Sequence, residues 1–270
     1  MDRLPRTDRL IVILKDLLDN PGRLFPLSFF ANRTGAAKSS ISEDVALMRK
    51  VLEANGLGQI RTVPGAAGGV LYLPGVRAEE RASLCDELVT ALSDPGRILP
   101  GGFLYTSDII FSPTWSSRIG RVFASWFAEE APDYVVTVET KGIPLALMTA
   151  RALGAGLVII RRDSRVTEGP VVTINYLSGS SGKIQTMSLP RRALRSGSKV
   201  LIVDDFMRAG GTAAGMLEMV KEFDACACGI AVLIQTAEPS EKLVQRPSSL
   251  LTLKGIDLRS GRVDIEPTQV

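Results

Sequence analysis

The chain has 270 residues, with 32 Lys+Arg against 29 Asp+Glu, 45% apolar and 23% charged residues, and no histidine. This is the composition of a soluble globular protein of one or two domains. Without an imidazole, Ser-His-Asp, Cys-His and His-zinc chemistries are excluded. The three cysteines are Cys85, Cys226 and Cys228. None has Cys-x-x-Cys spacing, and the alternation in ACACGIAVLI reads as strand packing. An odd cysteine count, with an N-terminal apolar stretch too short and too charged to span a bilayer, points to a cytoplasmic protein without a membrane partner.

Over residues 1–75 there are ten basic and seven acidic residues, so the whole surplus of +3 lies in the first quarter of the chain. From Asp8, Leu10, Leu14, Leu17 and Leu18 fall at helical spacing up to the stop at Pro21-Gly22. A short apolar piece, 27–31, follows, with a turn at Thr34-Gly35. Ser40 and Glu43 have capping-box spacing and mark the start of a third helix. Ile41, Val45, Met48 and Leu52 give it one apolar stripe, and Gly56 ends it. A strand over 59–63, a glycine-rich loop and a strand over 70–73 then read as a wing. Three helices with a short turn before the third describe a helix-turn-helix, whose third helix presents its first residues to a major groove. Arg3, Arg6, Lys38 and Arg61 are candidate phosphate contacts. Ser39, Ser40 and Ser42 fall near base edges or backbone. A small helical packing or dimerisation domain is the alternative.

A connecting helix is expected over 78–93, closed by Asp94-Pro95-Gly96. Alternating strands and helices follow: strand 134–138, helix 143–153, strand 157–160, strand 199–203, helix 212–223 and strand 229–235. This pattern predicts a parallel α/β sheet. The division expected is residues 1–75 for the helical module and 76–270 for the α/β domain. The sharpest feature is VLIVDDFMRAGGT at 200–212. Asp204 and Asp205 leave a buried strand at its carboxyl end, where open α/β sheets bind ligands. Their carboxylates suit two ribose hydroxyls. Arg208, Ala209, Gly210, Gly211 and Thr212 can wrap a phosphate at a helix N-terminus.

This run resembles the signature with which type I phosphoribosyltransferases recognise 5-phosphoribosyl-1-pyrophosphate (PRPP). ETKG at 139–142 resembles the pyrophosphate loop of that fold. Arg161-Arg162-Asp163 stands where basic residues of that family reach the same diphosphate, or is plain surface charge. The segment 165–189, with Ser178-Gly179-Ser180-Ser181-Gly182 between two β-rich stretches, resembles a hood loop, or is an exposed hairpin.

With the helical module in front, FPLSFFANRTGAAKSSISEDV, TVPGAAGGV, TKGIPLA and VTEGPVVTINYLSGSSGKIQTMSLPRR resemble the purine operon repressors of Gram-positive bacteria. The resemblance runs from about Arg3 to about Leu253. It implies a winged helix-turn-helix domain on a type I phosphoribosyltransferase-like domain. It also implies a homodimer on operator DNA, repression of purine biosynthesis and transport genes, and PRPP as an effector that lowers operator affinity without turnover. By the same resemblance PRPP is held by Asp204, Asp205, Phe206, Met207 and the loop from Arg208 to Thr212. Thr140, Lys141, Gly142 and Arg161 hold the diphosphate, with Mg²⁺ bridging it. Tyr105 stands at the edge of the base pocket, or is a core tyrosine. No catalytic residue and no protein-only metal site are implied. An active purine phosphoribosyltransferase is the rival reading, since the whole PRPP apparatus is kept. The segment 235–239 departs from the acid-rich loop expected there.

Overall fold

The computed structural model describes residues 3–162, 169–177 and 184–269. The chain opens with three helices, α1 (Arg6–Asp19), α2 (Leu27–Thr34) and α3 (Lys38–Ala54), then a hairpin of β1 (Gln59–Val63) and β2 (Gly69–Leu73). The two strands pair antiparallel, Gln59 opposite Leu73, as expected for a wing. Gly35, with φ of 67°, ends α2 in the left-handed conformation that glycine reaches without strain. One apolar cluster holds this part together. Ile41, Val45, Met48 and Leu52 of α3 are all buried in it.

Two local expectations change. The buried face of α1 is Arg9, Ile13 and Leu17, while Leu18 is exposed. Leu10 and Leu14 are half-buried against the same cluster, so the stripe holds except at Leu18, and Arg9 joins the buried face, drawn inward to a carboxylate, Asp44 of α3. The start of α3 is at Lys38, with Ala37 as its N-cap and no side-chain cap, so Ser40 lies inside the first turn and Ser40–Glu43 is no capping box.

The helix α4 (Ala78–Leu92) leads into a 3₁₀ turn (Pro95–Arg97), a small hairpin of β3 (Ile98–Leu99) and β4 (Phe103–Leu104), and the short α5 (Ser107–Ile110). The α/β part then comprises α6 (Pro113–Phe127), β5 (Tyr134–Val138), α7 (Gly142–Leu153), β6 (Gly156–Ile160), β7 (Val171–Leu177), β8 (Ile184–Pro190), β9 (Lys199–Met207), α8 (Gly211–Lys221), β10 (Cys226–Thr236), β11 (Ser248–Asp257) and β12 (Arg262–Pro267). Six strands form one sheet in the order β12-β11-β10-β9-β5-β6, parallel except for the edge strand β12. Apolar residues cover both faces, as buried parallel sheets require. One core unites α4, α6 and α7 with Val135, Leu201, Val203 and Leu233. The other unites α8 and the β7–β8 hairpin with Val136, Ile202 and Val232.

The sheet extends past the last strand read from the sequence by β11 and β12, and α6 was not anticipated. The strand β9 does not end at Val203 but runs through both acids to Met207, held by parallel pairing with β10. Both cysteines of Cys226-x-Cys228 lie on β10 as expected, yet Cys226 is exposed rather than packed. β7 and β8 pair antiparallel, Val171 opposite Pro190. The Ser178–Gly182 segment between them lies outside the described residues, as does Asp163. Among the described residues, no helix is long and apolar enough to cross a membrane.

Candidate functional site

The strand order places a crevice at the carboxyl ends of β5 and β9. From β5 the chain crosses through α7 to β6 on one side, and from β9 through α8 to β10 on the other. The two neighbouring strands therefore diverge at a topological switch point, where open α/β sheets take ligands. A cleft of about 560 Å³ lies there, lined by Val138 to Gly142, Arg162 and Asp204 to Ala213. Both α7 and α8 begin at this cleft, with Gly142 and Gly211 as their first residues. Two helix N-termini thus aim unpaired N–H groups and positive dipole ends into one space, which favours an anion.

The local backbone explains the glycines. Gly210 precedes α8 with φ of 84°, a left-handed position that admits the sharp turn from β9 into the helix. At Gly142 a Cβ would run into Thr137 Oγ1 and lie 3.3 Å from Asp204 Oδ1, so only glycine lets the 139–142 loop sit down on the sheet. The Glu139–Thr140 peptide is cis. The Glu139 side chain closes the loop against the next strand, accepting from the Arg162 backbone N–H at 2.8 Å and facing Arg161 Nη1 at 3.6 Å.

Asp204 is buried and Asp205 half-buried, and the Asp205 N–H donates to Asp204 Oδ1 at 2.9 Å. Burial, reinforced by the charge of Asp205, holds the Asp204 carboxyl well above the usual carboxylate range. Burial also raises Asp205, against the opposing pull of its hydrogen bond from Asp204 and of the Lys141 charge. The cleft therefore presents two acids whose ionised forms are short of partners. Ligand hydroxyl groups or a cation would supply them.

Of the residues read from the sequence, Thr140, Lys141, Gly142 and the whole run from Asp204 to Thr212 line this cleft. Arg161 and Tyr105 are not among its lining residues. Arg161 is bridged to Ser188 of β8, and successive side chains on an extended segment alternate in direction, so Arg162 reaches the cleft instead. Tyr105 lies between β4 and α5, its N–H donating to Arg97 O at 2.8 Å. A further support was not legible: the connection after β10 braces the backbone of the 208–212 loop. Leu243 N–H donates to Ala209 O at 2.8 Å, and Val244 packs under Gly210. Within the segment 235–239, Thr236 Oγ1 donates to Glu238 O at 2.6 Å, a local turn.

In the helical module, Lys38 and Ser39 are exposed on the first turn of α3 and Ser42 on the second, and Ser40 is half-buried. Arg3, Arg6 and Ser40 share a concave surface with Arg9 and Glu43. Arg6 also pairs with Asp44 at 3.2 Å. Arg61 is turned toward the α/β part, where it and Gln59 bind Glu129 just past α6. The buried pair of Arg9 and Asp44, unread in the sequence, locks α1 onto α3.

A helix-turn-helix-like module with a hairpin, carried on a phosphoribosyltransferase-type sheet with an anion-ready cleft, defines a DNA-binding regulator built on a nucleotide-metabolising fold. Residues 5–74 match the family described as bacterial purine repressor, N-terminal, and residues 114–259 match the phosphoribosyl transferase domain. The purine biosynthesis transcriptional repressor PurR of Bacillus subtilis is 48% identical over 97% of this chain and 92% of its own. The purine biosynthesis transcriptional activator PurR of Lactococcus lactis is 38% identical over 97% of both chains. A xanthine phosphoribosyltransferase of Deinococcus deserti is 32% identical over 56% of this chain and 80% of its own. Among solved structures, the adenine phosphoribosyltransferase of Rhodothermus marinus superposes with a TM-score of 0.54 at 24% identity, over 64% of this chain and 99% of that one, a likeness of fold alone. The chain belongs to the PurR family of purine biosynthesis transcriptional regulators.

Proposed function

We propose that the chain is a homodimeric repressor of purine biosynthesis and transport genes that takes PRPP in its cleft as an effector, without turning it over, and loses operator affinity when it does. The observation that carries this is the pairing of a buried and a half-buried acid with two helix N-termini at one switch point. Asp204 and Asp205 would accept hydrogen bonds from the ribose hydroxyls. The N–H groups from Arg208 to Thr212 would hold the 5-phosphate, and Thr140, Lys141 and Gly142 the diphosphate. No three His, Cys, Asp or Glu side chains converge on a metal position among the described residues. Mg²⁺ accompanying the diphosphate would supply charge neutralisation in the cleft. Lys38, Ser39 and Ser42, with Arg3 and Arg6, would meet the operator.

The test is a shift assay on a purine-gene promoter with and without PRPP and Mg²⁺. Weaker binding with PRPP, by about 5–150-fold for a coupling of usual size, supports the reading. Unchanged affinity overturns it. The same acid pair and loop would serve an active transferase, and the similarity to a xanthine phosphoribosyltransferase favours testing that reading too. Nucleotide formation from PRPP and purine bases, above the level of an Asp204→Ala, Asp205→Ala variant, would assign the enzyme.

A further inference from the structure

Two glycines from opposite ends of the fold meet backbone to backbone. Gly22 follows α1 with φ of 70°, and Gly154 caps α7 with φ of 70°. A Cβ on Gly22 would lie 2.9 Å from Leu153 O, and one on Gly154 would run into Pro21 O. Both positions demand the left-handed conformation and the missing side chain at once. The C-terminus of α7 therefore rests directly on the α1–α2 turn. That turn is wired into the wing: Gly22 N–H donates to Tyr72 O at 2.9 Å, and Phe25 is bridged to Val70.

The other end of α7 is the 139–142 loop, for Gly142 is its first residue. Its twelve residues span about 18 Å at the usual helical rise. The shaft has little slack. Leu145, Ala146, Thr149, Ala150 and Leu153 are buried, and a Cβ on Gly120 of α6 would lie 2.7 Å from Met148 Cβ. The helix α6 leads in turn to Glu129, which holds Arg61 and Gln59 of the wing. The helical module is thus seated on the C-terminal ends of two helices packed against each other.

We infer that α7 is a strut that carries occupancy of the cleft to the DNA-binding module through the Gly154–Gly22 contact. This rests on the reading of the cleft as a PRPP site coupled to operator affinity. A helix this closely packed moves as a body, so a displacement of the diphosphate loop arrives at the α1–α2 turn and, through Tyr72 and Phe25, at the wing.

The experiment compares the full chain with its Gly154→Ala variant, which wedges the contact and touches neither ligand. Calorimetry with PRPP and Mg²⁺ reads the cleft, and the promoter shift assay reads the ratio of operator affinities without and with PRPP. The variant should bind PRPP within about twofold of the parent while its affinity ratio collapses to within about twofold of one. A variant that keeps the parent's full ratio overturns the strut. A parent that binds no PRPP, or whose operator affinity ignores it, overturns the reading of the cleft instead. If Gly154→Ala does not fold, amide hydrogen exchange on the parent decides. PRPP should change exchange at residues 20–25 and 150–156 but not along β12. No change at those segments in a parent whose operator affinity does respond also overturns the strut.

Discussion

Replacing Asp44 by alanine should unseat α3, the helix proposed above to meet the operator. Asp44 is 1% exposed and receives hydrogen bonds from Arg9, which is 5% exposed, and from the more exposed Arg6. Truncation leaves the buried Arg9 guanidinium between α1 and α3 without its carboxylate. Losing one member of a buried pair costs about 3–5 kcal/mol, most of it the penalty on the charge left behind. Arg9 also donates to Leu4 O at 3.4 Å, too long and marginal a bond to compensate. The helical module has its own apolar cluster, and its stability is best read locally, from exchange of the buried α3 amides. A loss of 3–5 kcal/mol accelerates exchange by about a hundred- to several-thousand-fold. Operator binding should fall with it, while PRPP binding is unchanged. The double replacement Arg9→Met, Asp44→Leu should recover most of the protection, because an apolar pair of similar volume imposes no desolvation cost. Acceleration of less than about tenfold in Asp44→Ala would refute the reasoning and reduce the pair to the worth of a surface salt bridge.

Three further outcomes follow from the cleft and the thiols. The Asp204 carboxyl is raised by burial, so the folded state binds a proton more tightly than the unfolded chain, and its stability falls as pH rises from about 4 through the folded value. Asp204→Asn should therefore melt higher than the parent at pH 7 and flatten that fall, while losing the operator response to PRPP; a lower melting temperature would contradict it. Gly142→Ala should cost about 1–3 kcal/mol by overpacking against Thr137 and weaken PRPP binding about tenfold or more in calorimetry, with operator binding retained in its absence. Of the thiols, Cys226 is exposed, Cys85 is buried and held above its usual value by burial, and Cys228 is pushed up to about 11, mainly by burial. At pH 8 Cys228 is thiolate in about one molecule in a thousand, so a thiol reagent should modify Cys226 first, and mass spectrometry locating fast label on Cys228 would refute this.

The cleft was legible because its chemistry is contiguous in the chain. Acids, turn glycines and helix start occur within one run, and the second loop within four residues, so local pattern alone places both at strand ends. What failed depends on partners distant in sequence. Aspartate is a poor strand former, which ends β9 at Val203 by local rule, yet pairing of Asp204, Phe206 and Met207 with β10 carries the strand on. Leucine spacing placed Leu10, Leu14 and Leu17 of α1 correctly, yet Arg9 is buried beside them through its pairing with Asp44, which no local rule foretells. By contrast, α6 carries its signals locally. Ser112 accepts from the Trp115 N–H, Pro113 stands at the first turn, and Ile119, Val122 and Phe123 keep helical spacing.

The glycines of the junction show the deeper limit. Gly22 and Gly154 each look like an ordinary stop at a helix end, a role that explains them fully on local grounds. Only the packed chain reveals that the same missing side chains let two backbones touch. A residue satisfied by a local rule carries no surplus signal of a second role. The cleft therefore announces itself in the sequence, whereas its route to the DNA-binding helices has to be read from the fold.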